Sequence, residues 1–107
     1  MIDLNYPQHF HEPSSPSIEQ IKQALVKAQL QPGAINMRYP SSMQLGGFSN
    51  PDASIRSEAI QMTIEGCHVA SEVGASHLII WPAYDGYDYQ LQVLKVSLDY
   101  LKEVARV

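Results

Sequence analysis

Short apolar runs that stop at proline alternate along this chain with longer segments whose apolar residues step by three and four. The runs at residues 2–6 (IDLNY), 34–39 (AINMRY) and 77–81 (HLIIW) have strand length and end at Pro7, Pro40 and Pro82, and the last, with Leu78-Ile79-Ile80-Trp81, reads as a buried strand that delivers a loop from its C-terminal end. Between the first two, Ile18, Ile21, Leu25 and Ala28 trace one face of a helix, with Glu19, Lys22, Gln23 and Lys27 elsewhere on its surface. Ser15 followed by Pro16 is a helix start, and Ser17 with Gln20 three residues on is an alternative capping box. Pro32-Gly33 is expected to stop this helix. A second helix is predicted over residues 51–73, with Asn50 as cap, Pro51 at the first position and Gly74 as the stop. Glu58, Gln61, Glu65, His68 and Glu72 form its polar stripe, and Ile60, Ile64, Cys67 and Ala70 its apolar side. A last helix is predicted over residues 91–106, with Val93, Val96, Tyr100 and Val104 on one face.

The predicted order is β-α-β-α-β-α, which calls for parallel strands joined by right-handed crossovers in an α/β fold. No linker or internal repeat interrupts it, so residues 1–107 read as a single domain. Three parallel strands alone would leave two bare edges, and a closed eightfold barrel needs about 250 residues. The chain therefore reads as part of a larger β/α assembly.

Composition narrows the classes of function. With 45% hydrophobic and 17% charged residues the chain is globular in character, and its net charge of −4 comes with scattered cations. Phosphate neutralisation along a nucleic acid is not expected from it. One cysteine, Cys67, excludes an internal disulfide and fits a reducing compartment. No signal-like or membrane-spanning stretch is evident, so the expected location is cytoplasmic.

Four constellations can carry chemistry. His9-Phe10-His11-Glu12 puts two imidazoles and a carboxylate in the loop after the first strand, a weak metal signature against which the solvated-loop reading is favoured; His9, nearer the strand end, is the better candidate. Gly46-Gly47-Phe48-Ser49-Asn50 precedes a helix N-terminus and resembles an anion cradle, although Asn50 also reads as a plain cap. Trp81 leads into Tyr84, Asp85, Gly86, Tyr87, Asp88 and Tyr89. An aromatic wall beside carboxylates suits a sugar, while the bland reading makes Trp81 core and Asp85-Gly86 a turn. Cys67 reads as a buried structural thiol.

The segments LNYPQHF, MRYP, GFSNPDASIR and LIIWPAYDGYDYQLQ, in this order, resemble the xylose-isomerase-like TIM-barrel proteins, above all the L-rhamnose isomerase and sugar-isomerase branch. The resemblance covers roughly residues 2–92 and rests on the order of several segments, none specific alone. It implies a (β/α)₈ barrel, here a partial one of about three β/α units. It also implies aldose–ketose isomerisation with divalent metals such as Mn²⁺, held by Glu, Asp and His of later strands. That cage is expected to be missing here, so no metal ligand or cofactor is assigned to this chain. The ring-opening His of the family matches Asn50, which cannot act as a base near neutral pH. Trp81 matches a substrate-pocket aromatic, and Asp85-Gly86 a loop pair of that branch. The expected substrate-binding residues are therefore His9, Asn50, Trp81 and Asp85, and the segment after Gln92 departs from the family pattern.

Three functions follow as expectations. The first is a fragment or truncated form of a sugar isomerase or epimerase, holding part of a sugar pocket and inactive alone. The second is a non-catalytic module that dimerises or binds a full-length relative through its sheet edges. The third, a metal-dependent nuclease or hydrolase as in related barrels, is disfavoured by the acidic surface.

Overall fold

β1 (Ile2–Tyr6), β2 (Pro32–Met37) and β3 (His77–Ile79) pair in parallel, in the order β1-β2-β3. They alternate with α1 (Ile18–Lys27) and α2 (Ala53–Val73), and α3 (Leu94–Val104) follows. The computed structural model describes residues 1–11, 13–81 and 94–106. The expected Glu12 and Asp85, the aromatic–acidic segment around Asp85, and the start of the third predicted helix, including Val93, lie outside the described residues.

Sequential strand order with right-handed crossovers carries α1 and α2 to the same face of the sheet. Register identifies that face. Leu4, Ile35 and Leu78 stand level across the three strands, with Tyr6 and Met37 level one step further. A Cβ on Gly66 of α2 would collide with the Met37 sulfur and touch Leu78 Cδ1 at 3.4 Å. These side chains therefore face the helices, and Tyr6, Ile35 and Met37 are buried there. Strand alternation sends the other level row, Asn5, Asn36 and Ile79, to the opposite face, called open because α1 and α2 lie on the other side; Ala34 is buried on it and Asn5 and Asn36 are half-buried. Near the start of β1 the register slips between Ile2 and Leu4, and Asp3 Oδ1 accepts the Ala34 N–H there at 2.9 Å.

The local signals are resolved by hydrogen bonds. α1 takes the second of its two starts: Ser17 Oγ accepts the Gln20 N–H and Gln20 Oε1 accepts the Ser17 N–H. It ends earlier than Pro32-Gly33 suggested, because Gln29 turns left-handed at φ 55°, and Pro32-Gly33 instead open β2. The α2 cap moves from Asn50 to Asp52, whose carboxylate accepts both the backbone N–H (2.8 Å) and the hydroxyl (2.7 Å) of Ser54. Gly74 ends α2 as expected, at φ 87°.

Two expectations of burial fail. Cys67 is exposed, since α2 buries Gly66, Val69, Ala70 and Val73 instead, a stripe rotated from the predicted one. The run 77–81 is not an inner strand. Only Leu78 among its apolar residues is half-buried; Ile79, Ile80 and Trp81 are exposed, because β3 is the edge of the sheet.

The chain divides into two compact units, Met1–Arg38 with Thr63–Trp81, and Tyr39–Met62 with Pro82–Val107. The first holds the sheet, α1 and the second half of α2. In the second, Met43, Phe48 and Ala59 form a buried cluster against Tyr39, Ile55, Ile60, Leu101 and Val104. Arg56 stands 3.9 Å over the ring of Tyr100 and donates to the Asn50 and Pro51 carbonyls at 2.8 and 3.1 Å.

Candidate functional site

In parallel α/β sheets the C-terminal strand ends carry chemistry. Here those ends present different residues on the two faces of the sheet.

On the helix face, Tyr6 closes β1. Its hydroxyl donates to Glu65 Oε2 at 2.9 Å and lies 2.9 Å from His11 Nε2. A phenol has one proton. With that proton given to Glu65, His11 must donate, which sets its Nε2–H form and turns Nδ1 outward. The rings meet edge to face at 5.2 Å. Burial, the Glu65 hydrogen bond and the Glu65 charge together push the Tyr6 phenol up to about 12. Tyr6 is thus a neutral link that ties the loop after β1 to α2, and not a base.

His9, in the same loop, is exposed. Its Nδ1 accepts the Asn5 backbone N–H at 2.9 Å, while the His9 backbone N–H donates to the Asn5 carbonyl at 3.0 Å. The ring therefore carries its proton on Nε2, so it offers a donor to an incoming hydroxyl. Ligating a metal through Nε2 would require giving up the bond to Asn5.

On the open face, Arg38 extends the β2 ladder, its N–H donating to the Tyr6 carbonyl at 2.8 Å. Being one residue past Met37, it alternates to the side of Asn36. Its guanidinium lies 5.7 Å from the centroid of the Trp81 ring. The indole is 62% exposed, which removes the reading of Trp81 as core. Half-buried Asn5 and Asn36 stand level with each other in the row beneath. The open face at this end thus holds two amides, a guanidinium and an indole edge: donors and acceptors for hydroxyls, a cation, and an apolar surface for C–H groups.

Asn50 belongs to the second unit. It is 6% exposed, its Nδ2 donates to the Gly46 carbonyl at 2.7 Å, and its Oδ1 accepts the Asp52 N–H at 2.9 Å. Both ends of the amide are spent on the loop. The anion cradle read from Gly46-Gly47 is occupied from within, because the Asp52 carboxylate already takes the Ser54 N–H. Ser54 and the neighbouring Arg56 hold the Asp52 carboxyl below the usual range, the Ser54 bonds contributing most. Of the four expected binding residues, His9 and Trp81 lie in the first unit, Asn50 in the second, and Asp85 outside the described residues.

Arg38, Asn36, Asn5 and the link from Tyr6 to Glu65 were not singled out from the sequence, and His11 was read only as a weak metal candidate. A signal for three of them existed. Strands of a parallel sheet covered on both faces read as nearly continuous apolar runs. Asn5, Asn36 and Arg38 break that run at alternate positions, which marks one face as polar.

The donor set does not fit the divalent metal implied by the sugar-isomerase resemblance. Amides and a guanidinium replace the carboxylates such an ion needs, and the Arg38 charge opposes it. Among the described residues no group of three or more His, Cys, Asp or Glu side chains could hold an ion. A shallow groove of about 350 Å³ lies on the outer surface of α1, lined by Glu19, Lys22, Gln23, Val26 and Lys27, and includes none of the expected site residues. No known protein-family model matches the chain.

Proposed function

We propose that this chain supplies one wall of a sugar pocket in a xylose-isomerase-like β/α barrel, and that it binds sugar without isomerising it. The observation that carries this reading is the open face at the C-terminal strand ends, where the exposed Trp81 indole adjoins Arg38 above the Asn5–Asn36 row. Unreversed strand order with right-handed crossovers supports this reading, since it puts both crossover helices on one face and would leave the other to become an interior. A sugar laid against the indole would bury its C–H face and direct hydroxyls to the two amides. His9 would add a donor from the loop after β1. No base is assigned, and among the described residues no group of His, Cys, Asp or Glu side chains could hold a metal, so the proton or hydride shift between C1 and C2 is left to residues of an intact relative.

Saturation-transfer NMR tests this with L-rhamnose, D-xylose, D-glucose and D-glucuronate. At least one should receive saturation on its ring protons, and Trp81→Ala should abolish the transfer. The absence of transfer to all four overturns the reading. Ketose appearing with Mn²⁺ and the chain alone overturns its inactivity.

A second reading, a non-catalytic module that pairs with another copy or a longer relative, is favoured by the exposed Ile79 at the end of edge strand β3 and the exposed Ile80 that follows it. Sedimentation velocity over a hundredfold concentration range separates it. A monomer throughout rules out self-pairing.

A further inference from the structure

The geometry points to an anionic sugar, one carrying a carboxylate or phosphate, as the ligand of the open face, with Arg38 as the residue that selects it. This rests on the sugar-pocket reading and goes beyond it, since the resemblance implies a neutral aldose.

Arg38 carries a charge at the end of β2 that the sheet does not use. Arg38 is exposed, and its backbone N–H, not its side chain, continues the sheet. Among the described residues its guanidinium is set against the Trp81 ring, 5.7 Å from the centroid. A cation–π approach at this distance biases the guanidinium toward the indole while leaving its N–H groups available. Such a fork matches a carboxylate or phosphate in two parallel hydrogen bonds, and a stacked arginine loses less freedom on engaging one. Contrast Arg56, the other described arginine over an aromatic ring. It spends its N–H groups on the Asn50 and Pro51 carbonyls and acts as a structural pin.

Placement makes the charge a selector. Arg38 lies at the C-terminal end of β2 on the face that also carries Asn5 and Asn36. An anion alone would use only the guanidinium. A ligand that also meets the amide row and the indole needs hydroxyls and a C–H face, which describes a sugar acid or sugar phosphate. The chain as a whole carries a net charge of −4, so an anion gains nothing from long-range attraction. Recognition must come from the local group.

Trp81 is the single tryptophan of the chain, so its fluorescence reports on this site directly. The emission would be titrated with D-glucose, D-glucuronate, D-glucose 6-phosphate and inorganic phosphate. At least one of the two anionic sugars should bind about tenfold or more tighter than glucose, as expected for a charge-assisted pair. That preference should weaken between 50 and 200 mM salt. Arg38→Gln should abolish the preference, Arg38→Glu should invert it, and Arg38→Lys should retain only part of it. Circular dichroism and the denaturant midpoint check that each variant is folded. Equal affinities for glucose and both anionic sugars, unchanged in Arg38→Gln, overturn the inference while leaving the sugar pocket standing. Inorganic phosphate binding as tightly as glucose 6-phosphate overturns it in favour of a plain anion site. No response to any sugar removes both readings together.

Discussion

Tyr6 shows how a single atom can set a residue's role. Its hydroxyl faces Glu65 and His11, and burial holds the phenol proton until about 12 against an ordinary 10.0. Above pH 10 the unfolded chain releases this proton while the folded chain keeps it. Stability from the group is therefore complete below pH 10 and lost as pH rises toward 12. Denaturant midpoints for the wild type should fall over that window, and Tyr6→Phe should flatten the fall. At pH 7, Tyr6→Phe should cost about 1 kcal/mol, because Glu65 loses a donor and His11 an acceptor. Asp52 works with the opposite sign. Its folded carboxyl is held below 3.8, so its stabilisation is present above that pH and lost as pH falls through the lowered value. Asp52→Ala should lower the denaturant midpoint at pH 7, and the difference from wild type should vanish in strong acid. Cys67 needs only a reagent. An exposed thiol should react with a disulfide probe in native buffer at a rate little changed by denaturant.

At the scale of elements, the contact between α2 and the sheet depends on what Gly66 lacks. A methyl group there meets the Met37 sulfur, with Cε at 3.2 Å and Leu78 Cδ1 at 3.4 Å. Alanine is the better helix former by about 1 kcal/mol. Overpacking a buried face costs about 1–3 kcal/mol, and Met37 is 1% exposed and has little room to give. The steric term should win, so Gly66→Ala should destabilise by about 1 kcal/mol. Placed in a Met37→Ala background, the same change should become stabilising, because the clash is gone and only the propensity remains. Urea denaturation of the four proteins of this cycle reads the reversal. The capping box at Ser17 and the left-handed turn at Gln29 set the length of α1 without any tertiary partner.

For the whole molecule, charge and winding decide more than any one contact. No described helix is long and apolar enough to cross a membrane. The cations are dispersed in a chain of net charge −4, so fluorescence anisotropy with duplex DNA should show no binding at 150 mM salt. Three sequential parallel strands place every crossover helix on one side, and this leaves the polar row of Asn5 and Asn36 uncovered by them. A doubly wound sheet would have covered both faces and left the crevice at a strand-order reversal. The open face is thus a property of the topology, and the residues on it take their meaning from that.

What the sequence by itself determined was local. Proline stops and apolar stepping by three and four placed three strands and three helices in the right order, because turns, caps and amphipathic faces are encoded within a few residues. Even there, Ser15 against Ser17 and Asn50 against Asp52 were close competitors, and only hydrogen-bond geometry separated them. Which side of α2 is buried was decided by the sheet: the fit of Gly66 on Met37 and Leu78 rotates Cys67 outward, although periodicity alone admits either stripe. The Tyr6–Glu65 bond and the Arg38–Trp81 stack join residues far apart in the chain. Spacing carries no record of which strand end lies beside which, so parallel pairing alone brought those groups together.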